Sequence, residues 1–153
     1  FGGAVFAWTG KDFADAIKLE VSPRISAVAF IPANHVPTSK ARKLLPESIP
    51  HNDAVKNSIN TALLTQALTN RPDLLLVATE DYLHQSYRES AMPKSHALMQ
   101  KLRAAGVAAT ISGAGPSVLV LHTLDDVEAE EVMRLAGSSF TAQKVAISQH
   151  GVQ

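Results

Sequence analysis

The sequence contains no cysteine and no excess of charge of either sign, and each absence excludes a class of protein. Without cysteine in its 153 residues, the chain cannot form disulfides, thiol nucleophiles or thiolate metal sites. This fits a reducing compartment, and we expect a cytoplasmic location. Fourteen basic and fourteen acidic residues cancel to zero net charge, which argues against a nucleic-acid partner.

Long apolar runs are also missing. None approaches the ~20 residues that cross a bilayer, and the chain opens without the basic segment of a signal peptide. The strongest basic run, at residues 40–43, is weak for binding to an anionic membrane. We therefore expect neither a membrane nor a nucleic acid among the partners of this protein.

The residues that are present are typical of one globular domain. Apolar residues make up 46% of the chain, which is enough for a substantial core. The first residue is not methionine, and a β-type run follows at once. We therefore expect the chain to be the later part of a longer polypeptide.

Apolar patterning predicts three strands at the start of the chain and a helical middle. Residues 4–8 and 25–31 are β-type, and the ambiguous stretch 13–21 is assigned as a strand over its second half. We expect these to be consecutive antiparallel strands. Helices are predicted at residues 37–46 with Thr38 or Ser39 as cap, at 53–69, from 74 toward 82, at 85–91, and from 93 to a stop at Gly106.

The last third of the chain alternates between strand and helix. Strands are predicted at residues 107–111 and 118–121, followed by a helix that Thr123 caps and that ends near residue 136, and by a strand at 142–148. Strands, then several helices, then strands again indicate an α+β fold. We expect helices on one face of a mainly antiparallel sheet.

A six-residue loop of small residues connects the two strands at 107–111 and 118–121. A ligand or a second loop could approach its main chain closely, and its N–H groups could form an anion-binding concavity. The alternative is a tight strand connection in which glycine supplies a positive φ. No lysine follows the second glycine, so the loop is not a Walker-type phosphate loop, and it is not a nucleophile elbow. Its residues are Ser112, Gly113, Ala114, Gly115, Pro116 and Ser117.

Two arginines and one histidine are candidates for a binding site. Arg42 lies in the helix predicted at 37–46, and Arg88 ends the segment His-Gln-Ser-Tyr-Arg that begins at His84. Two converging guanidinium groups would bind a carboxylate as forks; the alternative is two solvated surface charges. The six histidines show no metal-ligand spacing and are expected at the surface or in caps. No metal site and no catalytic residue is predicted in this chain.

Residues 110–117, Thr-Ile-Ser-Gly-Ala-Gly-Pro-Ser, resemble the third signature motif of the GHMP kinases, a superfamily of galactokinase, homoserine, mevalonate and phosphomevalonate kinases. The form Ile-Ser-Gly-Ala-Gly-Pro-Ser is most similar to that of the homoserine kinases. Supporting matches in the same order are Phe-Gly-Gly at 1–3, Pro-Thr-Ser-Lys-Ala-Arg at 37–42, residues 51–57, and residues 84–88 with the following Met-Pro. The resemblance therefore covers nearly the whole chain.

This resemblance implies a two-domain enzyme that phosphorylates the side-chain hydroxyl of homoserine with ATP, a step of threonine biosynthesis. Residues 23–153 would form its ferredoxin-like C-terminal substrate domain, and residues 1–22 would be strands leading from the N-terminal domain. ATP and Mg²⁺ would be bound mainly by the absent N-terminal part, which carries the ATP-phosphate loop of the family. The isolated chain is therefore expected to be inactive.

The same resemblance implies roles for particular residues. Arg42 and Arg88 would hold the α-carboxylate of homoserine, with Thr38 and His84 as nearby supports. The loop residues 112–115 would pack against the missing phosphate loop beside the γ-phosphate. The implied partners are homoserine, the chain's own N-terminal domain and, in a homodimer, a second copy. Two alternatives stay open: another GHMP kinase acting on mevalonate or a sugar, and a non-catalytic ferredoxin-like module that binds an amino acid.

Overall fold

The predicted strands form two separate antiparallel sheets. The structure, a computed structural model, describes residues 2–148 and 150–151. The strands are β1 (Ala4–Thr9), β2 (Ala14–Leu19), β3 (Ser26–Pro32), β4 (Ala108–Ile111), β5 (Val118–His122) and β6 (Phe140–Val145). The helices are α1 (Thr38–Lys43), α2 (His51–Thr69), α3 (Leu75–Ala78), α4 (Pro93–Ala104) and α5 (Asp126–Arg134), with 3₁₀ turns at Pro72–Leu74, Glu89–Ala91 and Gly137–Ser139.

The larger sheet of the described residues has four antiparallel strands in the order β4-β5-β3-β6, while β1 pairs with β2 in a hairpin. The predicted α+β class with a mainly antiparallel sheet is confirmed. The expectation that the first three strands pair consecutively is correct for β1 and β2 and wrong for β3, which pairs with β5 and β6. The N–H of Ser22 donates to the carbonyl of Leu68 in α2 at 2.7 Å, and this bond fixes the chain to α2 as it leaves the hairpin.

Side-chain alternation gives the larger sheet one fully buried face. Val28 lies opposite Val120 and Phe30 lies opposite Val118, and all four have 0% exposure. Burial of side chains of this size contributes roughly 1.5–3 kcal/mol each. Helices α1, α4 and α5 cover this face with Ala41, Leu98, Met99, Leu102 and Val132.

A second, smaller cluster joins α2 and α3 to β4. Ala108 pairs with Leu121, and both alternate along their strands with residues of the main core, so they belong to the opposite face of the sheet. Ala67 of α2 packs in this cluster with Leu75 and Ala78 of α3. Both helices are thereby fixed to the strand that leads into the loop at residues 112–117.

The β1–β2 hairpin carries large apolar side chains that the described residues leave exposed. Phe6 and Ile17 lie opposite each other, and together with Trp8 they occupy one face of the hairpin at 42%, 58% and 46% exposure. This face is covered at its base, where Leu19 lies beside Leu64 of α2. A two-stranded hairpin by itself is marginally stable in water, so its apolar face is suited to contact with further protein.

Two helix caps differ from the predictions. The predicted hydroxyl cap of α1 is absent. Pro37 occupies the cap position, and its carbonyl accepts from the N–H groups of Lys40 and Ala41 at 3.0 and 3.2 Å. Helix α5 is capped by Asp125 instead of Thr123. The Asp125 carboxylate accepts from the N–H of Glu128 at 2.9 Å, and the Glu128 carboxylate accepts from the N–H of Asp125 at 3.1 Å. This reciprocal box satisfies two N–H groups at the positive end of the helix.

The segment between α3 and α4 is less helical than predicted. The expected extension of α3 toward residue 82 is wrong, since the helix ends at Ala78, and of residues 85–91 only Glu89–Ala91 form a 3₁₀ turn. The physical reason is Asp81, whose carboxylate accepts the N–H groups of the third and fourth residues after it at 2.8 and 2.6 Å. A side-chain acceptor of this kind competes with helical bonding.

The remaining elements lie close to their predicted positions. Gly106, with a φ of +81°, ends α4 as expected, and β6 begins two residues before the predicted strand at 142–148. The motif at residues 1–3 falls partly outside the described residues, which begin at Gly2. Across residues 2–148 and 150–151, no helix combines the length and apolar character needed to cross a membrane.

A buried histidine ends β5. His122 is 7% exposed, its Nδ1 accepts from the N–H of Leu124 at 3.1 Å, and its Nε2 has no partner among the described residues. Burial, followed by the charge of Lys144, lowers the pKa of His122 from its usual 6.5. The expectation of a surface position is wrong for this histidine, although its ring does cap the turn that follows.

We expect acid to destabilise the protein through His122. Unfolded chains take up the histidine proton near pH 6.5, whereas folded His122 resists it, so stability is complete above this pH and is lost as the pH falls toward the lowered pKa of the folded state. Urea unfolding at about pH 7.5 and about pH 5.5 measures the loss. His122→Gln should depend less on pH than the wild type, and His35→Gln, at an exposed position, is the matched control. Equal pH dependence of wild type and His122→Gln would contradict this account.

Candidate anion site at the glycine loop

The loop after β4 is a tight turn closed by its own backbone. The N–H of Gly115 donates to the carbonyl of Ser112 at 2.9 Å, and the N–H of Ser112 donates to the carbonyl of Ser117 at 2.8 Å. Gly113 and Gly115 have φ values of +59° and +81°, which favour glycine. The interpretation as a strand connection with positive-φ glycines is therefore correct for the backbone, and it is compatible with a binding role.

Four of the six carbonyl groups of this loop accept hydrogen bonds, while two N–H groups at its tip donate to none of the described residues. Arg88 Nη1 donates to the carbonyl of Gly113 at 3.1 Å, and Ser95 Oγ donates to the carbonyl of Pro116 at 2.5 Å. The N–H groups of Gly113 and Ala114 donate to none of the described residues. A loop with bound acceptors and free donors presents partial positive charge, which suits an anion.

Gly115 is packed too closely for any side chain. A Cβ on this residue would collide with Sδ of Met92 and lie 3.1 Å from Cγ2 of Ile111. Met92 is itself 4% exposed and belongs to the main core. The loop therefore rests directly on the core, and packing fixes its backbone as well as hydrogen bonds do.

Arg88 is the buried member of the predicted arginine pair. It is 9% exposed, and its Nε has no hydrogen-bond partner among the described residues. Buried donors are nearly always paired. The unpaired Nε, on the same guanidinium that binds Gly113, is therefore suited to an acceptor supplied by a ligand. The alternative of a solvated surface charge is wrong for Arg88.

Arg42, in contrast to the buried Arg88, faces solvent. It is exposed on α1, and its guanidinium makes no hydrogen bond or ion pair with the described residues. The preceding Ala41 is fully buried in the core that also contains Met92, so α1 packs on the same core as the loop. The structure shows no direct contact between Arg42 and Arg88, and Arg42 is available to an anion.

The two supporting residues that the sequence suggested are differently placed. Thr38 is exposed at the first position of α1, and its hydroxyl has no hydrogen bond to a described residue. His84 Nδ1 lies 2.9 Å from Asp81 Oδ1, and 45% of its side chain is exposed. His84 thus braces the turn that carries Arg88. Contact of Thr38 and His84 with a substrate stays a prediction.

Asp81 organises the turn that precedes Arg88. Burial would raise the pKa of Asp81, but hydrogen bonds from the N–H of Gln85 and from the ring and N–H of His84 outweigh it and lower the pKa. The carboxylate is therefore charged at neutral pH and holds the following residues in place. The sequence analysis did not predict this role, although an aspartate followed by irregular chain is the usual signal of an Asx turn.

Gln85 links the same turn to the strand that enters the glycine loop. Its Oε1 accepts from the N–H of Ile111 at 2.7 Å and lies 3.4 Å from the hydroxyl of Thr110. Gln85 is 9% exposed. A glutamine in an irregular segment has no distinguishing sequence pattern, so only the structure identifies this contact.

Helix α2 holds the start of the turn. Asn57 Oδ1 accepts from the N–H of Tyr82 at 3.0 Å, and Asn60 Nδ2 donates to the carbonyl of Glu80 at 3.1 Å. Asparagines three residues apart share one face of a helix, and that spacing was the available sequence signal. Through these bonds α2 positions the segment that carries Arg88.

A third arginine, Arg103, is partly buried and binds only groups of the protein itself. Its Nη1 donates to the carbonyl of Ala109 and the hydroxyl of Thr79, each at 3.0 Å, and its Nη2 donates to the carbonyl of Leu76 at 2.6 Å. The carboxylate of Glu80 lies 3.5 Å away. Burial lowers the pKa of Arg103, and Glu80 opposes that shift. This side chain ties α4 to α3 and β4.

The described part of the chain contains no group of three or more His, Cys, Asp or Glu arranged to hold a metal ion. What it offers instead is a set of donors suited to an anion. Arg88 Nε is the buried donor, the N–H groups of Gly113 and Ala114 are more exposed donors, and Arg42 is an exposed cation on α1.

Comparison with protein families gives a match over residues 59–136, about half of the chain, to the family described as "GHMP kinases C terminal". Among curated proteins, the homoserine kinase of Streptomyces avermitilis is 49% identical over 150 residues, which cover 98% of this chain and 48% of that protein. The chain thus spans about half the length of the curated relatives it matches.

Solved structures show the same fold. A homoserine kinase from Cytophaga hutchinsonii superposes with a TM-score of 0.77 at 24% identity, covering 94% of this chain and 47% of that chain. A 4-(cytidine 5'-diphospho)-2C-methyl-D-erythritol kinase gives a TM-score of 0.51 at 16% identity, covering 87% of this chain and 45% of that chain. The fold is thus shared by proteins named for different acceptors, and identity at this level indicates the fold alone.

Proposed function

Because this chain belongs to the GHMP kinases and carries their C-terminal domain, we propose that it is the C-terminal part of a homoserine kinase. The 49% identity to a homoserine kinase over 98% of this chain supports that choice of acceptor. The complete enzyme would transfer the γ-phosphoryl group of ATP to the side-chain hydroxyl of homoserine, as a step of threonine biosynthesis in the cytoplasm. This chain would supply substrate binding.

The observation that carries the proposal is the double contact available to Arg88. One nitrogen of its guanidinium binds the glycine loop at Gly113, and another, Nε, is buried without a partner among the described residues. The α-carboxylate of homoserine would accept from Nε, and Arg42 would contribute a second charge from α1. Holding the carboxylate end of a short, flexible substrate aims its hydroxyl.

The free N–H groups of Gly113 and Ala114 would face the γ-phosphate of ATP. The homoserine hydroxyl oxygen forms a bond to the γ-phosphorus, the bond from that phosphorus to the ADP oxygen breaks, and the hydroxyl proton is released. Such a transfer needs positioning and charge neutralisation more than covalent catalysis. ATP and Mg²⁺ would be bound mainly by the N-terminal part of the complete enzyme, and no residue of this chain would bind the metal.

The proposal divides the chain into residues 1–22, leading from the N-terminal domain, and residues 23–153, the substrate domain. The hairpin supports this division, since it forms a sheet of its own. Its exposed Phe6, Trp8 and Ile17 would pack against the N-terminal domain of the same polypeptide. Burying three such side chains would contribute several kcal/mol at about 25 cal/mol per Å² of apolar area.

A substrate panel on the complete polypeptide tests the proposal. With ATP present, homoserine should be phosphorylated well above mevalonate, galactose and other hydroxyl acceptors, and purified residues 1–153 alone should show no turnover. A preference for mevalonate or a sugar would show that homoserine is the wrong acceptor, while the assignment to the GHMP kinases would stand. Turnover by the isolated chain, or amino-acid binding by a complete polypeptide without any kinase activity, would overturn the proposal. The mass of the complete enzyme in solution tests the expected homodimer.

A further inference from the structure

The glycine loop is attached to the turn that carries Arg88 at two points, Ile111 and Gly113. Ile111 is the last residue of β4, and its N–H donates to Oε1 of Gln85 at 2.7 Å just before the loop begins. Two residues later, the carbonyl of Gly113 accepts from Arg88 at 3.1 Å. Gln85 and Arg88 are three residues apart in one short turn. The loop and this turn are therefore joined at two points.

Gln85 is well suited to fix this geometry. Its side chain is 9% exposed, and its own N–H donates to the Asp81 carboxylate at 2.6 Å, which orients the residue. The Thr110 hydroxyl at 3.4 Å gives Oε1 a second neighbour on β4. Gln85, which the charged Asp81 carboxylate holds in place, thus provides a hydrogen-bond acceptor for the N–H of Ile111 immediately before the loop.

The contact matters because the same turn carries Arg88. Arg88 sets the proposed carboxylate position, and the free N–H groups of Gly113 and Ala114 set the proposed phosphate position. The distance between these two positions depends on how the loop sits against the turn. The hydrogen bond from Ile111 to Gln85 fixes the loop against the turn at the start of the loop, whereas Arg88 binds it only at Gly113.

We propose that Gln85 is a positioning residue for the phosphoryl transfer, which sets the glycine loop relative to Arg88 through the N–H of Ile111. This inference rests on the proposed function. Gln85 touches neither substrate nor phosphate, so its loss changes the alignment of bound reactants. A misplacement of about 1 Å can lower a rate about 100-fold, whereas affinity for each reactant depends on contacts that remain.

The experiment uses the complete polypeptide with Gln85→Leu, Gln85→Glu and, as matched control, Gln100→Leu. Gln100 lies in the same cleft as Gln85 and is exposed, without a side-chain hydrogen bond to the described residues. Gln85→Leu removes the acceptor at similar size and should lower kcat about 10- to 100-fold. It should change the KM values for ATP and for the acceptor by less than about 3-fold. Gln85→Glu keeps an acceptor oxygen and should restore kcat to within about 3-fold of wild type.

Hydrogen exchange of the peptide containing residues 110–117 supplies the second readout. Exchange of this peptide should speed up at least about 10-fold in Gln85→Leu and stay unchanged in Gln85→Glu and in Gln100→Leu. A Gln85→Leu enzyme with lower thermal stability but unchanged kcat overturns the inference, because the role is then structural only. Unchanged exchange in the loop overturns it as well. If the complete wild-type polypeptide shows no kinase turnover, that result contradicts the proposed function itself and not only the role of Gln85.

Discussion

Replacing Arg88 with alanine in the complete enzyme is expected to raise the KM for homoserine about 100-fold, because truncating a buried charged side chain that makes the proposed contact with the carboxylate costs about 2–5 kcal/mol. The structure adds a second effect. Arg88 also binds the carbonyl of Gly113 at 3.1 Å, so kcat should fall about 10-fold. The KM for ATP should change little. Steady-state kinetics with each substrate varied in turn measures all three.

Arg42→Ala provides the comparison that separates the two proposed effects of Arg88, on homoserine binding and on the glycine loop. The Arg42 side chain makes no hydrogen bond or ion pair with the described residues, so its loss should raise the KM for homoserine without lowering kcat or the melting temperature. Arg134→Ala, at an exposed position on α5, is the neutral control. If either site variant weakened ATP binding and left homoserine binding intact, the assignment of the carboxylate to these arginines would be wrong.

The largest effect on stability is expected from Arg103→Ala. This change removes three hydrogen bonds, to the carbonyls of Ala109 and Leu76 and to the hydroxyl of Thr79. It leaves the buried carbonyl of Ala109 without this donor, while the carbonyl of Leu76 keeps, among the described residues, only the Thr79 hydroxyl at 3.3 Å. Hydrogen bonds from a charged group contribute about 1.5–3 kcal/mol each, though not additively. We expect a loss of about 3 kcal/mol, or about 6–12 °C in melting temperature for a chain of this size.

Thermal unfolding followed by circular dichroism measures the effect of Arg103→Ala. Lys101→Ala is the matched control, since Lys101 lies in the same helix, is exposed and donates to the carbonyl of Leu135 at 3.1 Å. It should lower the melting temperature by less than about 2 °C. A melting temperature of Arg103→Ala as high as that of the control would mean that these bonds contribute no net stability.

The fold was largely predictable because its signals are local. Short continuous apolar runs specify β3 and β5, and the four-residue spacing of Val55, Ile59 and Leu63 specifies α2. The errors arise where a single side chain outweighs the pattern. Asp81 ends the helical pattern after α3, and the partner of β3 was wrong because pairing depends on contacts between distant residues.

The candidate site was predictable to a smaller extent. The glycine loop and Arg88 have distinctive sequence contexts, and the structure does bring them into contact. Gln85, Ser95 and Asn60 had no comparable signal, because each acts through one hydrogen bond to a backbone group far away in sequence. Such contacts depend on the tertiary arrangement of the elements, and periodicity carries no information about them.

Strand β4 lies at one end of the four-stranded sheet, so half of its backbone groups face outward. Arg103 binds the outward carbonyl of Ala109, and Gln85 binds the outward N–H of Ile111. Free backbone groups on an edge strand invite a strand from another molecule and lead to aggregation. Ala109 and Ile111 are also buried, so the side chains that fix the helices and the loop occupy the very backbone groups through which a further strand would pair at this edge.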